Sequence, residues 1–300
     1  MPFNDGFSYK EQLGASATGQ TVVQYLSGRH RHSTRDEWTE RTTRGEVLLD
    51  GAPAQGGERL RAGQVLVWNR PPWFEEDVPR EYTVVYRDDD VLAVDKPSGL
   101  PTMHGGGFLR NTLLSVVRDS YPRAVALHRL GRATSGLVLF ALNARAASML
   151  AEDWRRHAIE KRYRALARGV ATEESYDIRA RIGRVAHPRL GSVYAAASHG
   201  KEARSDARVL ERRSDATLFE VNIQTGRPHQ IRIHLAFIGH PLVGDELYTH
   251  GGVPSAEHPA LPGDAGYFLH AQTLTFKHPA SGRRVTLSAP PPPPLQGERP

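Results

Sequence analysis

Gly136-Leu137-Val138-Leu139-Phe140-Ala141-Leu142 is a short, nearly continuous apolar run of the kind that forms a buried strand. It anchors to core the polar loop that runs into it, His128-Arg129-Leu130-Gly131-Arg132-Ala133-Thr134-Ser135-Gly136. No Asp or Glu occurs between Asp119 and Glu152, while Arg123, Arg129, Arg132 and Arg145 all do. The loop therefore presents fixed positive charge and hydrogen-bond forks without an internal acid, which suits a phosphate-bearing partner. A second acid-free stretch, from Glu220 to Asp245, holds Thr225-Gly226-Arg227-Pro228-His229-Gln230-Ile231-Arg232-Ile233-His234-Leu235. Gly226 and Pro228 mark a turn there, and Ile231 and Leu235 lie four apart, as on one helical face from which Arg232 extends.

Short strands, at Thr83 to Tyr86, Val91 to Val94, Leu137 to Leu142, Arg162 to Ala167 and Leu218 to Ile223, alternate with few helices, chiefly about 110–120, 144–157 and 228–238. That pattern predicts an α+β domain with a mixed, mainly antiparallel sheet rather than a doubly wound one. Upstream, Thr21 to Leu26 and Arg35 to Thr43 read as short helices, and Gly45 to Gly51 and Gly63 to Trp68 as strands. The expected organisation is a flexible polar arm at 1–18, a small module at 19–69, a proline-rich linker at 70–81, the main domain at 82–289, and an extended, disordered proline tail at 290–300.

With 300 residues and 39% hydrophobic side chains, the chain can fill one medium and one small core. Zero cysteines exclude disulfides, thiolate catalysis and Cys-ligated zinc, and no apolar stretch approaches membrane-spanning length, so a cytoplasmic protein is expected. The net charge of +6 fits a polyanionic partner, more by the placement of the arginines than by the total. His229, His234 and His240 match no metal-ligand spacing, and Ser135 lacks the Gly-x-Ser-x-Gly elbow of a hydrolase, so neither a metal nor a serine triad is expected.

The same residues resemble the RluA-type RNA pseudouridine synthases, whose central motif reads His-Arg-Leu-Asp-Arg, a variable residue, then Thr-Ser-Gly. Further matches are Asp95 to Leu100, Lys161-Arg162-Tyr163, Gly226 to Leu235 with Gly239 to Asp245, and Leu269-His270-Ala271, five ordered segments across roughly residues 82–290. The 19–69 module resembles a divergent α-L RNA-binding domain, with Arg29, Arg31, Arg35, Arg41 and Arg44 as phosphate contacts or as an ordinary solvated helix face. The resemblance implies a cofactor-free isomerisation of uridine to pseudouridine in rRNA or tRNA, with no membrane and no obligate protein partner. Tyr163 matches the Tyr that packs on the flipped base, and Arg232 matches the Arg that pairs with the catalytic Asp. His128, Arg129, Arg132, Lys161, Arg227 and His229 are the implied RNA contacts.

Gly131 stands where that Asp is expected. Glycosidic cleavage builds positive charge on the sugar, and a carboxylate stabilises it by electrostatics or by a covalent adduct, neither of which glycine can do. Loss of a nucleophile that works as part of a unit costs on the order of 10⁴ to 10⁶ in rate. Asp95 and Asp245 border family motifs and are the candidate substitutes, whereas Glu160 and Tyr163 fall on opposite faces of a strand. Two alternatives to a working synthase follow: an RNA-binding protein of this fold without catalysis, or a small-molecule glycosyl-processing enzyme.

Overall fold

The computed structural model describes residues 3–30, 32–256, 260–264 and 266–297, and the chain divides into two compact units, Met1–Glu75 and Glu76–Pro300. In the first, β1 (Phe7–Gln12) precedes helices α1 (Val22–Arg29) and α2 (Arg35–Thr43), followed by β2 (Val47–Leu49), β3 (Ala52–Pro53) and β4 (Val65–Arg70). Both helices start at a Thr with Gln or Glu three residues on, and both form reciprocal capping boxes, Thr21 with Gln24 and Thr34 with Glu37. The sheet order β1-β4-β2-β3 closes over a core that includes Trp38, Leu26, Val47 and Leu66. Arg31 lies outside the described residues.

The expected mobile arm is instead structure. β1 pairs with β4 over six residues, and Leu13 and Ala17 are buried behind it, because β4 would otherwise present an open edge and the small core an uncovered face. The expected linker at 70–81 is likewise divided: Arg70 ends β4, Asn4 bonds Glu75 within the first unit, and Glu76 belongs to the second.

The second unit runs β5 (Thr83–Arg87), β6 (Val91–Lys96), α3 (Leu113–Ser120), β7 (Val125–Ala126), β8 (Ser135–Ala141), α4 (Ala144–Arg155), β9 (Glu160–Arg168), β10 (Ser175–Ile178), β11 (Ile182–His187), β12 (Gly191–Ala196), β13 (Ser205–Arg212), β14 (Ala216–Ile223), α5 (Gln230–Phe237), β15 (Tyr248–Thr249), β16 (Val253–Pro254), β17 (Leu269–Lys277) and β18 (Arg284–Ser288). A ten-stranded sheet has the order β10-β13-β14-β9-β17-β8-β6-β5, with β18 on β17 and β7 on β8, and every pairing in it is antiparallel except β17 with β8; β11 with β12 and β15 with β16 form separate antiparallel pairs. This is the α+β domain with a mixed, mainly antiparallel sheet that the sequence predicts.

All seven residues of β8 are buried because the sheet is covered on both faces: Val138 and Phe140 join one core cluster, Leu137 and Leu139 another. Gly136 is required at its start. A Cβ there would stand 2.3 Å from the Ala271 carbonyl oxygen of β17, and the backbone has φ +107°. The one parallel pairing makes the loops that feed β8 and β17 enter the sheet at the same end, and that end carries the site.

The expected disordered tail also proves ordered through residue 297. Pro293–Leu295 forms a 3₁₀ turn, Leu295 is buried, Arg164 donates to the Leu295 carbonyl, and Arg213 donates to those of Pro294 and Gln296. Proline-rich backbone lacks donors, so its carbonyls are open to guanidinium forks from neighbouring strands.

Candidate active site

The 128–134 loop is fixed from below. Lys96, buried at the end of β6, donates from Nζ to the carbonyls of Pro97 (2.8 Å), Leu100 (2.7 Å) and Arg132 (3.2 Å), tying the Pro97–Leu100 turn to the loop. Burial lowers its pKa to about 7. Thr102 adds a reciprocal pair, donating to the Leu130 carbonyl and accepting from the Leu130 N–H.

Beside this loop lies a cleft of about 110 Å³, lined among others by Gly131, Tyr163 of β9, Arg232 of α5 and Tyr267. Tyr163 sits opposite Ala271 of β17 and is buried except for its cleft-facing part; its hydroxyl makes no hydrogen bond among the described residues. Burial holds that phenol well above its ordinary range, so the ring stays neutral.

Arg232 is 4% exposed and meets a carboxylate: Nε donates to Asp245 Oδ2 at 2.6 Å and Nη2 to Oδ1 at 2.8 Å, with Nη1 on the Pro262 carbonyl at 3.0 Å. Burial pulls the guanidinium's pKa down, but the Asp245 hydrogen bonds more than offset it, and the charge is held more firmly than in water. Of the two candidate acids, Asp245 therefore reaches Arg232, yet it lies behind it. Its side chain is fully buried and also accepts from the N–H groups of Leu247 and Tyr248. Neither Asp245 nor Asp95 lines the cleft, and no described residue that lines it is acidic. Glu160 is paired with Arg284.

The expected RNA contacts separate into two groups. Arg129, Arg227 and His229 line the cleft; Arg129 has no ion pair among the described residues, and Arg227 donates from its side chain only to the Glu202 carbonyl. His229 opens α5 with a left-handed backbone (φ +57°) and bonds Tyr248 Oη through Nδ1 at 2.7 Å; Tyr248 donates to the Tyr194 carbonyl, so His229 Nδ1 carries the proton. Burial, then Arg232, lowers its pKa to about 3.

His128, Arg132 and Lys161 do not line the cleft. His128 accepts the Leu139 N–H at Nε2 and stacks on Trp154 at 4.4 Å, which makes it a strut for β8. Arg132 is neutralised by a bidentate pair with Glu76, an acid outside the window that looked acid-free, and its Nε holds the Gly99 carbonyl. Lys161 instead lines a neighbouring groove of about 710 Å³ with Arg162 and His157 and with the acids Glu160, Asp206 and Glu220, and Ile223 borders both groove and cleft.

The histidines considered as ligands do not converge, since His234 bonds Ser205 and the Ala180 carbonyl and His240 bonds the Arg168 carbonyl. Ser135 bonds His270 Nδ1 at 2.9 Å, buried between β8 and β17, with the Ala289 carbonyl and no acid on the far nitrogen. The residue missed from the sequence is Tyr267. Its hydroxyl lies 2.6 Å from where a Cβ on residue 131 would stand and 3.2 Å from Thr134 Oγ1, and its ring packs 4.2 Å from the Arg232 guanidinium carbon. Its position two residues before the matched Leu269-His270-Ala271 segment is the one signal that pointed to it.

Residues 90–237 match the family model described as RNA pseudouridylate synthase. The chain is 43% identical over 276 residues to an uncharacterized RNA pseudouridine synthase of Synechocystis sp., covering 91% of this chain and 95% of that protein. This chain belongs to the RNA pseudouridine synthase family. It is also 34% identical to ribosomal large subunit pseudouridine synthase D of Xanthomonas campestris, over 94% of this chain and 88% of that one. Among solved structures, human RNA pseudouridylate synthase domain containing 1 superposes with a TM-score of 0.56 at 26% identity, over 74% of this chain and 89% of that one. Within the family fold, the cleft bordered by residue 131 is the place where the expected carboxylate is absent.

Proposed function

We propose that this chain isomerises uridine to pseudouridine in rRNA or tRNA, as a cytoplasmic enzyme without a cofactor. The observation that carries the reading is that the cleft is kept open: Tyr163 offers an unbonded face, and Arg232 is neutralised from behind by Asp245 instead of closing over the space. Arg129 and Arg227 remain for phosphate at its mouth. A uridine reaching Tyr163 must leave its stack, as for other enzymes that work on a base. The family name of the Xanthomonas relative favours rRNA among the possible substrates.

The test is tritium release from RNA of a strain deleted for this gene, labelled at uridine C5, because isomerisation expels that hydrogen. Release above a no-protein control supports the reading. A second reading, RNA binding without isomerisation, is favoured by the acid-free lining of the cleft, and it predicts intact RNA binding with no release.

A further inference from the structure

The space vacated at residue 131 is not empty. The distance from the Tyr267 hydroxyl to a Cβ built on Gly131, 2.6 Å, is about the distance from an aspartate's own Cβ to its carboxylate oxygens. The hydroxyl is within hydrogen-bond reach of Thr134 Oγ1, the ring is 4% exposed, and the Arg232 guanidinium lies against its face. An oxygen is thus held, from the segment that leads into β17, about as far from that Cβ as the family's carboxylate oxygen would be.

We propose that Tyr267 is the catalytic residue that replaces the missing aspartate, a reading that rests on the isomerase activity proposed above. With its proton directed to Thr134 Oγ1, Tyr267 Oη turns a lone pair to C1′ of a uridine seated against Tyr163. As the C1′–N1 bond breaks, its electron pair leaves with N1, and the positive charge left on C1′ and the ring oxygen is stabilised by that lone pair. The uracil turns, C5 supplies the pair that forms the C1′–C5 bond, the C5 proton passes to solvent, and N1 takes a proton from solvent. No bond to the protein persists and no redox partner is needed. Tyrosine serves at the anomeric carbon in sialidases, so a phenol oxygen is chemically competent at such a centre. The surrounding arginines make an electron-pair donor more necessary, because they oppose the cation that forms.

Tyr267→Phe removes only the oxygen and keeps the ring over Arg232. The expected result is at least about a 100-fold loss in the rate of tritium release at saturating RNA, the scale seen on removing one stabilising group, with RNA affinity within about twofold of wild type. The swap G131D/Y267F moves the oxygen back to residue 131; the backbone there is outside the left-handed region, and loss of the hydroxyl clears the space a Cβ requires. The swap is expected to restore release to the wild-type rate or above. A Y267F variant that turns over at the wild-type rate overturns the proposal and leaves the isomerase reading standing. So does a rate loss matched by an equal loss of RNA affinity, since a group acting on C1′ does not hold ground-state RNA. Wild-type protein that releases no tritium overturns the isomerase reading, and this proposal with it.

Discussion

At Arg232, burying a charge and answering it occur within one side chain's reach. The guanidinium is 4% exposed, and Asp245 occupies two of its donors from the side away from the cleft. Asp245→Asn is expected to destabilise the fold by about 3–5 kcal/mol, because a buried cation loses its counter-charge; urea unfolding of the purified variant measures this. The histidines set a pH dependence of known sign. His229 and His128 have pKa values lowered to about 3 by burial, against 6.5 when unfolded, so their neutral forms favour the fold above pH 6.5. As pH falls below 6.5 the unfolded chain takes up protons that the folded one refuses, and stability declines toward pH 3 by up to about 1.4 kcal/mol per pH unit for each. Denaturant midpoints at pH 7.5 and 5.5 test the slope, which His229→Gln should make shallower. The sequence marks Arg232 through its resemblance to the Arg that pairs with the catalytic Asp, and names Asp245 only as a bordering acid; that Asp245 meets Arg232 and that Tyr267 reaches residue 131 depends on distances no spacing encodes.

At the scale of elements, what was legible tracks how much each segment is determined by its own residues. β8 and β6 are buried on both faces and read as apolar runs, and α2 starts at its capping box and runs over the expected residues. The hairpin β11–β12 was not read, because its strands mix polar and apolar residues and its partners are largely each other. β1 and the tail turn were misread for one reason: both are local polar or proline-rich stretches held by distant strands. Removing residues 290–297 is expected to cost about 2 kcal/mol through the exposed Leu295 site, seen as a lower melting temperature. Gly136→Ala should be more damaging, by about 3 kcal/mol or more, since its Cβ would meet β17 backbone at a positive φ; urea unfolding again provides the measure.

Over the whole molecule, a net charge of +6 says only that polyanions are attracted, and the folded chain shows which cations are free to act. Arg132 is neutralised by Glu76 and is removed from that set, whereas Arg129 and Arg227 line the cleft. Arg129→Ala and Arg227→Ala are each expected to reduce the slope of log affinity against log salt by about 1, and Arg132→Ala to leave it unchanged. Filter binding to transcript RNA across a salt series distinguishes these. An affinity with no salt slope in the wild type would instead favour the small-molecule glycosyl reading.

The parallel pairing of β8 with β17 also has a temporal consequence. Thr134 and Tyr267 meet across 133 residues of chain, and contacts of such sequence separation form late. A ribosome-bound chain that has emerged only through α5 already carries Tyr163, Gly131 and Arg232, but β8 has β6 on one side and still lacks β17 on the other, and the cleft lacks a wall. The protein thus acquires its site only after β17 has been made, and before that its arginine-rich loops meet RNA without a pocket to receive a base.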